Sequence, residues 1–307
     1  MELSTAAELL KKGEIIAFPT ETVYGLGAPI FNTQAIAKIF AAKGRPSDNP
    51  LIAHIAAKED LQRIAIDIPD EAYLLIDAFF PGPLTLILFR HLDVPDIVSA
   101  GLPTIAVRMP SHPIALELIR LTGQPLVAPS ANLSGKPSST TAQHVLDDLH
   151  GRIAGVIDGG PCSLGIESTV IKLGAQPLIL RPGSITASQI EDVLKRKVEI
   201  YDKQSAGPVP SPGMKYRHYA PKASLKLFTD EEELYAHVDA EPGIKRLILS
   251  KVSAKELYAL LRQADQENYK EIAILCDEET AKDIALMNRL KHAAYPIPTG
   301  NAGGSLS

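Results

Sequence analysis

Cysteine is scarce in this sequence: Cys162 and Cys276 are the two among 307 residues. They lie too far apart for a metal-binding or redox motif, and two thiols do not make a disulfide framework. We therefore expect two unpaired thiols in a reducing cytoplasm. No run approaches the roughly 20 apolar residues that a membrane-spanning helix needs, and the N-terminus lacks the basic and then apolar segments of a signal peptide. These absences predict a cytoplasmic protein that is not held in a membrane.

An excess of positive charge is also absent. The sequence has 31 lysines and arginines against 36 aspartates and glutamates, a formal net charge of -5. Because general binding to nucleic acid or to an anionic membrane depends on many cations, this balance argues against both, although it allows a local basic pocket. The length of 307 residues is sufficient for two domains, and the composition is that of an ordinary globular protein.

Two common nucleotide-binding signatures are missing as well. No glycine-rich loop precedes a Lys-Ser or Lys-Thr pair with Walker spacing, and Gly25 and Gly27 after the first predicted strand continue as Ala28-Pro29-Ile30 instead of the dinucleotide fingerprint. No group of histidine, cysteine and acidic residues has the spacing of a zinc site. A phosphate-binding site in this chain must therefore use another arrangement.

Apolar runs and helical periodicities predict alternating strands and helices over the first 200 residues. Thr5 and Glu8 predict a capping box for a helix that ends near Gly13. Strands are predicted at 15–18, 51–55, 84–88, 105–107, 126–128, 156–157, 169–173 and 178–180, and helices near 32–42, 70–80, 113–121, 142–149 and 187–195. Several of the connections are too short to contain a helix, so the sheet is predicted to be mixed.

A segment rich in proline and glycine, residues 204–223, separates a first domain at 1–203 from a second at 224–307. It also contains lysine, arginine, histidine and two tyrosines. It is either a spacer packed on the surface or an ordered lid that folds over a site. Strands at 225–228, 247–249 and 272–275 alternate with helices near 231–238, 254–263 and 279–293, which predicts a small parallel α/β domain.

Two cations, Lys43 and Arg45, flank Gly44 on a predicted loop that leads from a helix into the strand at 51–55. Such a loop suits a phosphate or a carboxylate, and the arginine adds a bidentate grip. A solvated basic loop is the alternative.

Polar or cationic residues also end several other predicted strands: Thr20 and Thr22, His54, Arg108, Ser130 and Asn132, Ser168 and Thr169, and Arg181. Each has an ordinary explanation, such as an ion pair, a turn, an edge strand or a hydrogen-bonded core histidine. As a group they predict a concave site for a polyanion beside a small zwitterion. The group contains no obvious nucleophile, so chemistry by positioning and charge neutralisation fits, as in nucleotidyl or phosphoryl transfer.

Seven motifs in order resemble those of the YrdC-like family: Pro19-Thr20-Glu21-Thr22-Val23-Tyr24-Gly25-Leu26, Lys43-Gly44-Arg45-Pro46 with Asn49-Pro50-Leu51, Pro81-Gly82-Pro83-Leu84-Thr85, Val107-Arg108-Met109-Pro110, Ala128-Pro129-Ser130-Ala131-Asn132-Leu133-Ser134-Gly135, Gly165-Ile166-Glu167-Ser168-Thr169-Val170 and Leu180-Arg181-Pro182-Gly183. The segment 211–221 and the second α/β domain resemble the long two-domain branch of that family, the threonylcarbamoyl-AMP synthases. The resemblance runs from the first strand to about Ala294.

This resemblance implies an α/β fold in which an open, twisted, mixed sheet surrounds a large cavity, with a small Rossmann-like parallel second domain. It implies an enzyme that makes threonylcarbamoyl-AMP and pyrophosphate from L-threonine, bicarbonate and ATP, with Mg²⁺ bound mainly through the ATP phosphates. A separate tRNA-modifying complex would take the product, and stable direct binding of tRNA is not expected. Two alternatives stay open: a carbamoyl-adenylate enzyme for another acceptor, and an RNA-binding module.

The resemblance also implies which residues form the site, and these fall into three groups. The catalytic set is Lys43, Arg45, Ser130 and Asn132. The ATP contacts are Arg45, Asn49, Thr104, Ser130, Ser138, Arg181 and a tyrosine of the proline-rich segment, placed at Tyr219 with Tyr216 second. The threonine pocket is Thr22, His54, Arg108, Ala128 through its backbone, and Ser168.

Overall fold

This computed structural model describes residues 1–201, the N-terminal unit, and residues 219–294, the C-terminal unit. Most of the segment 204–223, including Tyr216, lies outside the described residues. The strands of the N-terminal unit are β1 Ile16–Phe18, β2 Gly25–Pro29, β3 Ile52–His54, β4 Ala65–Ile66, β5 Leu84–Arg90, β6 Thr104–Arg108, β7 Leu126–Val127, β8 Gly155–Val156, β9 Thr169–Lys172, β10 Leu178–Arg181 and β11 Glu199–Ile200. Its helices are α1 Leu3–Lys11, α2 Thr33–Lys43, α3 Leu61–Ile64, α4 Asp70–Phe79, α5 Asp96–Ser99, α6 Pro113–Thr122, α7 Ala142–Leu149 and α8 Ala187–Leu194.

The strands of the N-terminal unit form one eleven-stranded sheet in the order β11-β10-β9-β5-β6-β3-β7-β2-β1-β8, with β4 beside β5. Pairs such as β3–β6 and β5–β9 are parallel, whereas β5–β6 and β9–β10 are antiparallel. The prediction of a mixed sheet is therefore confirmed.

Helices cover both faces of this sheet. Ile16 and Phe18 of β1 pack in one apolar cluster with α1 and α6, and the intervening Ala17 packs in another with α2, α4 and α7. Successive side chains of a strand point to opposite faces, so this division is the expected one. Burial on both faces explains why the strands read in the sequence as short continuous apolar runs.

Strand β2 was not predicted, because its glycines and terminal proline lack the signature of a strand. A Cβ on Gly27 would lie 2.8 Å from a ring carbon of Phe18, and a Cβ on Gly25 would lie 3.2 Å from another. The glycines therefore allow the Phe18 ring to pack directly against the neighbouring backbone. Glycine within a strand often marks such a close approach.

Three local predictions were wrong. Helix α1 begins at Leu3 after Glu2, with no side-chain cap, and Glu8 accepts a hydrogen bond from Lys11 instead of completing a capping box with Thr5. The helix predicted near 279–293 is divided into two helices, Glu278–Lys282 and Ile284–Ala294. Lys43 ends helix α2 instead of lying on the following loop, and Gly44 then turns the chain with a left-handed φ of 60°.

The C-terminal unit contains a three-stranded parallel sheet, as the sequence predicted, and its strands lie in the order Ser224–Phe228, Glu271–Leu275 and Arg246–Leu249. Its elements are β12 Ser224–Phe228, α9 Glu231–Ala240, β13 Arg246–Leu249, α10 Leu257–Gln266, β14 Glu271–Leu275, α11 Glu278–Lys282 and α12 Ile284–Ala294. Among all the described residues, no helix has the length and apolar character to cross a membrane.

A buried carboxylate joins the strands of the C-terminal unit. Glu271 begins β14 between the two outer strands, where it contacts Arg246, Lys226 at 3.0 Å and His237 at 2.8 Å. Burial alone would raise the pKa of Glu271, but hydrogen bonds from Arg246, His237 and Lys226 lower it from 4.5 to about 2.

We predict that Glu271→Gln destabilises the protein by about 3 kcal/mol at neutral pH, because it leaves the buried guanidinium of Arg246 without its counter-charge. Since the folded pKa lies below the unfolded value of 4.5, this stabilisation is present above that pH and is lost as the pH falls towards 2. Urea unfolding of wild type and variant from neutral to acid pH measures the difference. Glu232→Gln, an exposed change on α9, is the matched control. A difference that stays constant down to acid pH would contradict the prediction.

Candidate functional site

One cavity lies where the ends of neighbouring strands meet. The C-terminal ends of β3, β6 and β10, the segment after β7 and the segment before β9 all reach it. Its lining residues are Thr20, Thr22, Val23, Tyr24, Gly25, Arg45, Pro50, Leu51, Ile52, His54, Arg108, Ala128, Pro129, Ser130, Glu167, Ser168, Arg181 and Tyr219. Residues from eight separate stretches of the sequence therefore line one cavity.

The sheet register places His54 beside Arg108, since these residues pair across β3 and β6. The Nδ1 atom of His54 lies 3.1 Å from the carbonyl oxygen of Ile52. A carbonyl oxygen only accepts, so Nδ1 carries the hydrogen and Nε2 is left as an acceptor. Burial, and then the nearby charge of Arg108, lower the pKa of His54 to about 3. The imidazole is therefore neutral at physiological pH.

Arg108 is fixed by several partners. Its Nη1 donates to the hydroxyl of Thr22 at 2.8 Å, its Nε donates to the carbonyl of Gly82 at 3.3 Å, and its Nη2 lies 2.7 Å from Glu21 Oε1. Burial alone would raise the pKa of Glu21, but the charge and hydrogen bond of Arg108 bring it below its usual value. This buried ion pair holds the guanidinium in one orientation at the cavity.

Ser168 links this region to Arg181. Its hydroxyl lies 2.7 Å from that of Thr85 and accepts a hydrogen bond from Arg181 Nη2 at 3.1 Å. The Nε of Arg181 donates to the backbone carbonyl of Ser168, also at 3.1 Å. Two cations, Arg108 and Arg181, are thus held at different points of one cavity.

Arg45 supplies a third cation. Its Nη2 donates to the carbonyls of Asn49 and Pro50 at 3.3 Å, and its buried Nε has no partner among the described residues. Burial, together with repulsion from Arg181, lowers the pKa of Arg45 to about 10, so the side chain is still charged at neutral pH. A buried donor without a partner points to a ligand that accepts hydrogen bonds.

Lys43 does not line the cavity. Its ammonium is buried and donates to the backbone carbonyls of Ser130 and Asn132, each at 2.5 Å. The amide of Asn132 donates in turn to the carbonyls of Leu133 and Lys136 at 2.8 and 3.0 Å. Lys43 and Asn132 therefore hold the loop that presents Ser130 to the cavity.

Not all predicted residues reach the cavity. The predicted residues that line the cavity are Arg45, Ser130, Arg181, Tyr219, Thr22, His54, Arg108, Ala128 and Ser168. Those that do not line it are Lys43, Asn49, Thr104, Asn132 and Ser138. Ser138 lies directly behind the lining, because its hydroxyl donates to Glu167 Oε1 at 2.6 Å. Thr104 is at the opposite end of β6 from Arg108. Tyr216 lies outside the described residues.

Sequence reasoning missed two acidic residues, Glu21 and Glu167. Both stand inside motifs quoted above, but the predicted site was built from cations, hydroxyl groups and amides and included no carboxylate. Burial alone would raise the pKa of Glu167, yet the charges of Arg289 and Arg181 and hydrogen bonds from Ser138 and Arg289 bring it below its usual value. The partner Arg289 belongs to the C-terminal unit, and no local pattern links it to Glu167.

Comparison with protein families agrees with this arrangement. The model of the Sua5/YciO/YrdC family, described as telomere recombination, matches residues 8–183. The model of the C-terminal domain of threonylcarbamoyl-AMP synthase matches residues 185–295. The chain belongs to the two-domain threonylcarbamoyl-AMP synthase family. It is therefore an enzyme of the nucleotidyltransferase type.

Relatives in this family resemble the chain over nearly its whole length. The threonylcarbamoyl-AMP synthase of Pyrococcus abyssi is 43% identical, over 95% of this chain and 94% of the relative. The threonylcarbamoyl-AMP synthase of Bacillus subtilis is 45% identical, over 95% of this chain and 93% of the relative. A crystal structure of P. abyssi Sua5 complexed with L-threonine is 41% identical with a TM-score of 0.89, and covers 95% of this chain and 94% of that one. E. coli YciO matches 61% of this chain and 92% of its own, at 26% identity and a TM-score of 0.55.

We predict that Lys43→Met destabilises the protein by about 2–4 kcal/mol, because two buried carbonyls lose their donor. Thermal or urea unfolding measures this. Lys38→Met is the matched control on the same helix: the Lys38 ammonium also contacts a carbonyl, that of Gly13, but its side chain is 44% exposed. A Lys43→Met protein with wild-type stability and no activity would instead show that the ammonium acts on substrate.

Proposed function

We propose that this chain is an L-threonylcarbamoyladenylate synthase, which joins L-threonine, bicarbonate and ATP into threonylcarbamoyl-AMP and releases pyrophosphate. The observation that carries the proposal is that two groups of residues of different chemistry line one cavity, and we assign one end of the cavity to each group. Arg45 and Arg181 make one end suitable for a polyanion, and Arg108 with neutral His54 makes the other suitable for a small zwitterion. Family membership and the relatives' names support the same reaction.

At the zwitterion end, the hydrogen bonds already present show which group of threonine each proposed contact could bind. Arg108 and Ser168 offer donors that can bind a carboxylate. Thr22 accepts a hydrogen bond from Arg108, so it would contribute by orienting that guanidinium. The Nε2 of His54 accepts, so it suits the hydroxyl or the amine of threonine. The N–H of Ala128 already donates to the carbonyl of Ile52 at 3.0 Å, and Ala128 would therefore act through its own carbonyl oxygen.

At the polyanion end, Arg45, Arg181, Ser130 and Tyr219 are the proposed ATP contacts that line the cavity. Ser138 would act from just behind the lining, and Asn49 from the loop that Arg45 grips. Thr104 and Tyr216 stay predictions that come from the family resemblance alone. The proposed domain organisation keeps 1–203 as the catalytic domain, 204–223 as the segment between the domains and 224–307 as the second domain.

The reaction needs like charges to be held together. The amine of threonine adds to the carbon of bicarbonate with loss of water, and an oxygen of the resulting carbamate then attacks the α-phosphorus of ATP. That oxygen–phosphorus bond forms as the bond to pyrophosphate breaks. Arg45, Arg108 and Arg181 offset the repulsion, and fixed cations in a buried site stabilise charge that develops at phosphorus. The Cys162 thiol is buried with its pKa raised to about 12, so it is a poor nucleophile.

Magnesium enters this proposal as part of the MgATP substrate. The carboxylates nearest the cavity are already paired, Glu21 with Arg108 and Glu167 with Arg289. Among the described residues, the one group of three side chains spaced for a metal is His237, Glu241 and Glu271 in the C-terminal unit. Glu271 there is already paired with two cations. The described cavity residues thus do not form a magnesium site of their own.

The first test of the proposal is the substrate requirement. We predict that pyrophosphate release from ATP with magnesium requires both L-threonine and bicarbonate, with L-serine as the control amino acid. Release with carbamoyl phosphate and none with threonine would favour a different acceptor. ATP binding without release, together with salt-sensitive RNA binding, would favour the RNA-binding module. The proposed place of the reaction is the cytoplasm, where a tRNA-modifying complex would take the product.

A second test concerns Arg45 at the polyanion end of the cavity. Arg45→Ala should lower kcat/KM at least about a hundredfold, as removal of one group that stabilises a developing charge does elsewhere. Arg120→Ala, an exposed change on α6, is the matched control. An active and folded Arg45→Ala protein would count heavily against the proposal.

A third test concerns His54. His54→Phe should raise the KM for threonine about tenfold because a buried substrate group loses its acceptor, while the KM for ATP stays unchanged. His54→Gln restores an acceptor and should recover most of the affinity. Since the pKa of His54 is about 3, the ratio of wild-type to His54→Gln activity should not vary across neutral pH. An inflection in that ratio near the ordinary histidine pKa would contradict this assignment.

A further inference from the structure

Glu167 stands where the two units meet at the cavity. Its Oε1 accepts a hydrogen bond from Ser138 at 2.6 Å. Its Oε2 accepts hydrogen bonds from Tyr258 at 2.9 Å and from Arg289 Nε at 2.8 Å. Tyr258 lies on α10 and Arg289 on α12, so the C-terminal unit supplies two of the three donors to this carboxylate among the described residues.

The charges around Glu167 explain why those partners matter. Among the described residues its carboxylate is ion-paired with Arg289, whose side chain is fully buried, and not with Arg181 of the cavity. Removal of the Arg289 charge would leave Arg181 as the neighbouring cation whose charge acts on the carboxylate. A carboxylate turned towards Arg181 would offset a charge that the phosphates of ATP need.

The same two side chains also hold Tyr219. Its ring stacks on the ring of Tyr258, with 5.4 Å between centroids, and the Arg289 guanidinium lies 5.5 Å from its centre. The next residue, Ala220, donates to the carbonyl of Gly135 in the N-terminal unit at 3.0 Å. The first two residues of the C-terminal unit, Tyr219 and Ala220, are thus held by contacts with α10, α12 and the N-terminal unit.

A third side chain of the C-terminal unit, that of Arg262 on α10, supports the loop that carries Ser138. Arg262 donates to the carbonyl of Pro137 at 2.6 Å and to Asp148 at 2.8 Å, and its Nε lies 3.4 Å from the carbonyl of Ser138. Ser138 is therefore held through its side chain by Glu167 and through its backbone by the C-terminal unit.

We infer that Tyr258 and Arg289 are positioning residues for the ATP site: they orient the Glu167 carboxylate, and Glu167 takes the hydroxyl hydrogen of Ser138. The Ser138 oxygen is then presented as an acceptor for a hydroxyl or amino group of ATP. The C-terminal unit thereby completes the ATP site without touching the reacting atoms. The inference rests on the proposed function, because that proposal assigns Ser138, Arg181 and Tyr219 to ATP.

Tyr258→Phe is the sharpest test, since it keeps the stack on Tyr219 and removes only the hydrogen bond to Glu167. We predict that it raises the KM for ATP and the dissociation constant for ATP about tenfold, the scale for a hydrogen bond to a charged group. The KM for threonine should stay unchanged. Tyr269→Phe, in the same unit beside Lys245, is the matched control and should change neither. An unchanged ATP affinity in a folded Tyr258→Phe protein would overturn the inference.

A double-mutant cycle tests the route through Ser138. If Tyr258 acts through Glu167 on that hydroxyl, Tyr258→Phe should weaken ATP binding less than about threefold in a Ser138→Ala background. Equal effects in both backgrounds would overturn this route. Arg289→Lys, which keeps the charge, should be less harmful to ATP affinity than Arg289→Met, and equal losses would argue for a purely structural role.

These outcomes are distinguishable from failure of the proposed function. Wild-type protein that releases no pyrophosphate with threonine and bicarbonate contradicts the proposed reaction. Active wild type with Tyr258→Phe and Arg289→Met proteins of unaltered ATP affinity contradicts the positioning role alone. Direct calorimetric titration of ATP provides a readout that does not depend on turnover.

Discussion

The cost of burying charge is the constraint on which this structure depends. A buried ion is tolerated where partners replace its hydration, and three buried cationic groups near the cavity have such partners. Arg108 lies against Glu21, Arg289 against Glu167, and the ammonium of Lys43 against two backbone carbonyls. The pairs fix side chains as well as charges. They leave Arg45 and Arg181 at one end of the cavity as cations without a carboxylate ion pair among the described residues.

The sheet turns this constraint into a site with two ends. His54 and Arg108 are neighbours because β3 and β6 are parallel and in register, and Ser168 meets Thr85 because β9 runs beside β5. Burial beside Arg108 keeps His54 neutral, which suits an acceptor for a small polar substrate. The proposed adenylation needs a zwitterion and a polyanion to meet, and the strand order brings suitable groups within one cavity.

The C-terminal unit contacts residues at and behind the cavity of the N-terminal unit. Through Tyr258, Arg262 and Arg289 it contacts the loop around Ser138, the carboxylate of Glu167 and the ring of Tyr219. A separate small parallel sheet holds the helices that carry these side chains. The core of that unit, with Leu257, Leu261 and Leu290 buried, thus supports residues at the edge of the cavity.

The sequence by itself determined most of the helices and strands, the mixed first sheet, the parallel second sheet and the family, because periodicity, turn residues and motif order are local properties. Helices such as Ala142–Leu149 match their predicted bounds. Only the tertiary structure decided where side chains point. It directed Lys43 away from the cavity, allowed β2 to form against Phe18, and paired Glu167 with Tyr258 and Arg289, which lie 91 and 122 residues away. Burial and the partners of buried charges depend on contacts between distant segments, and no local pattern in the sequence records them.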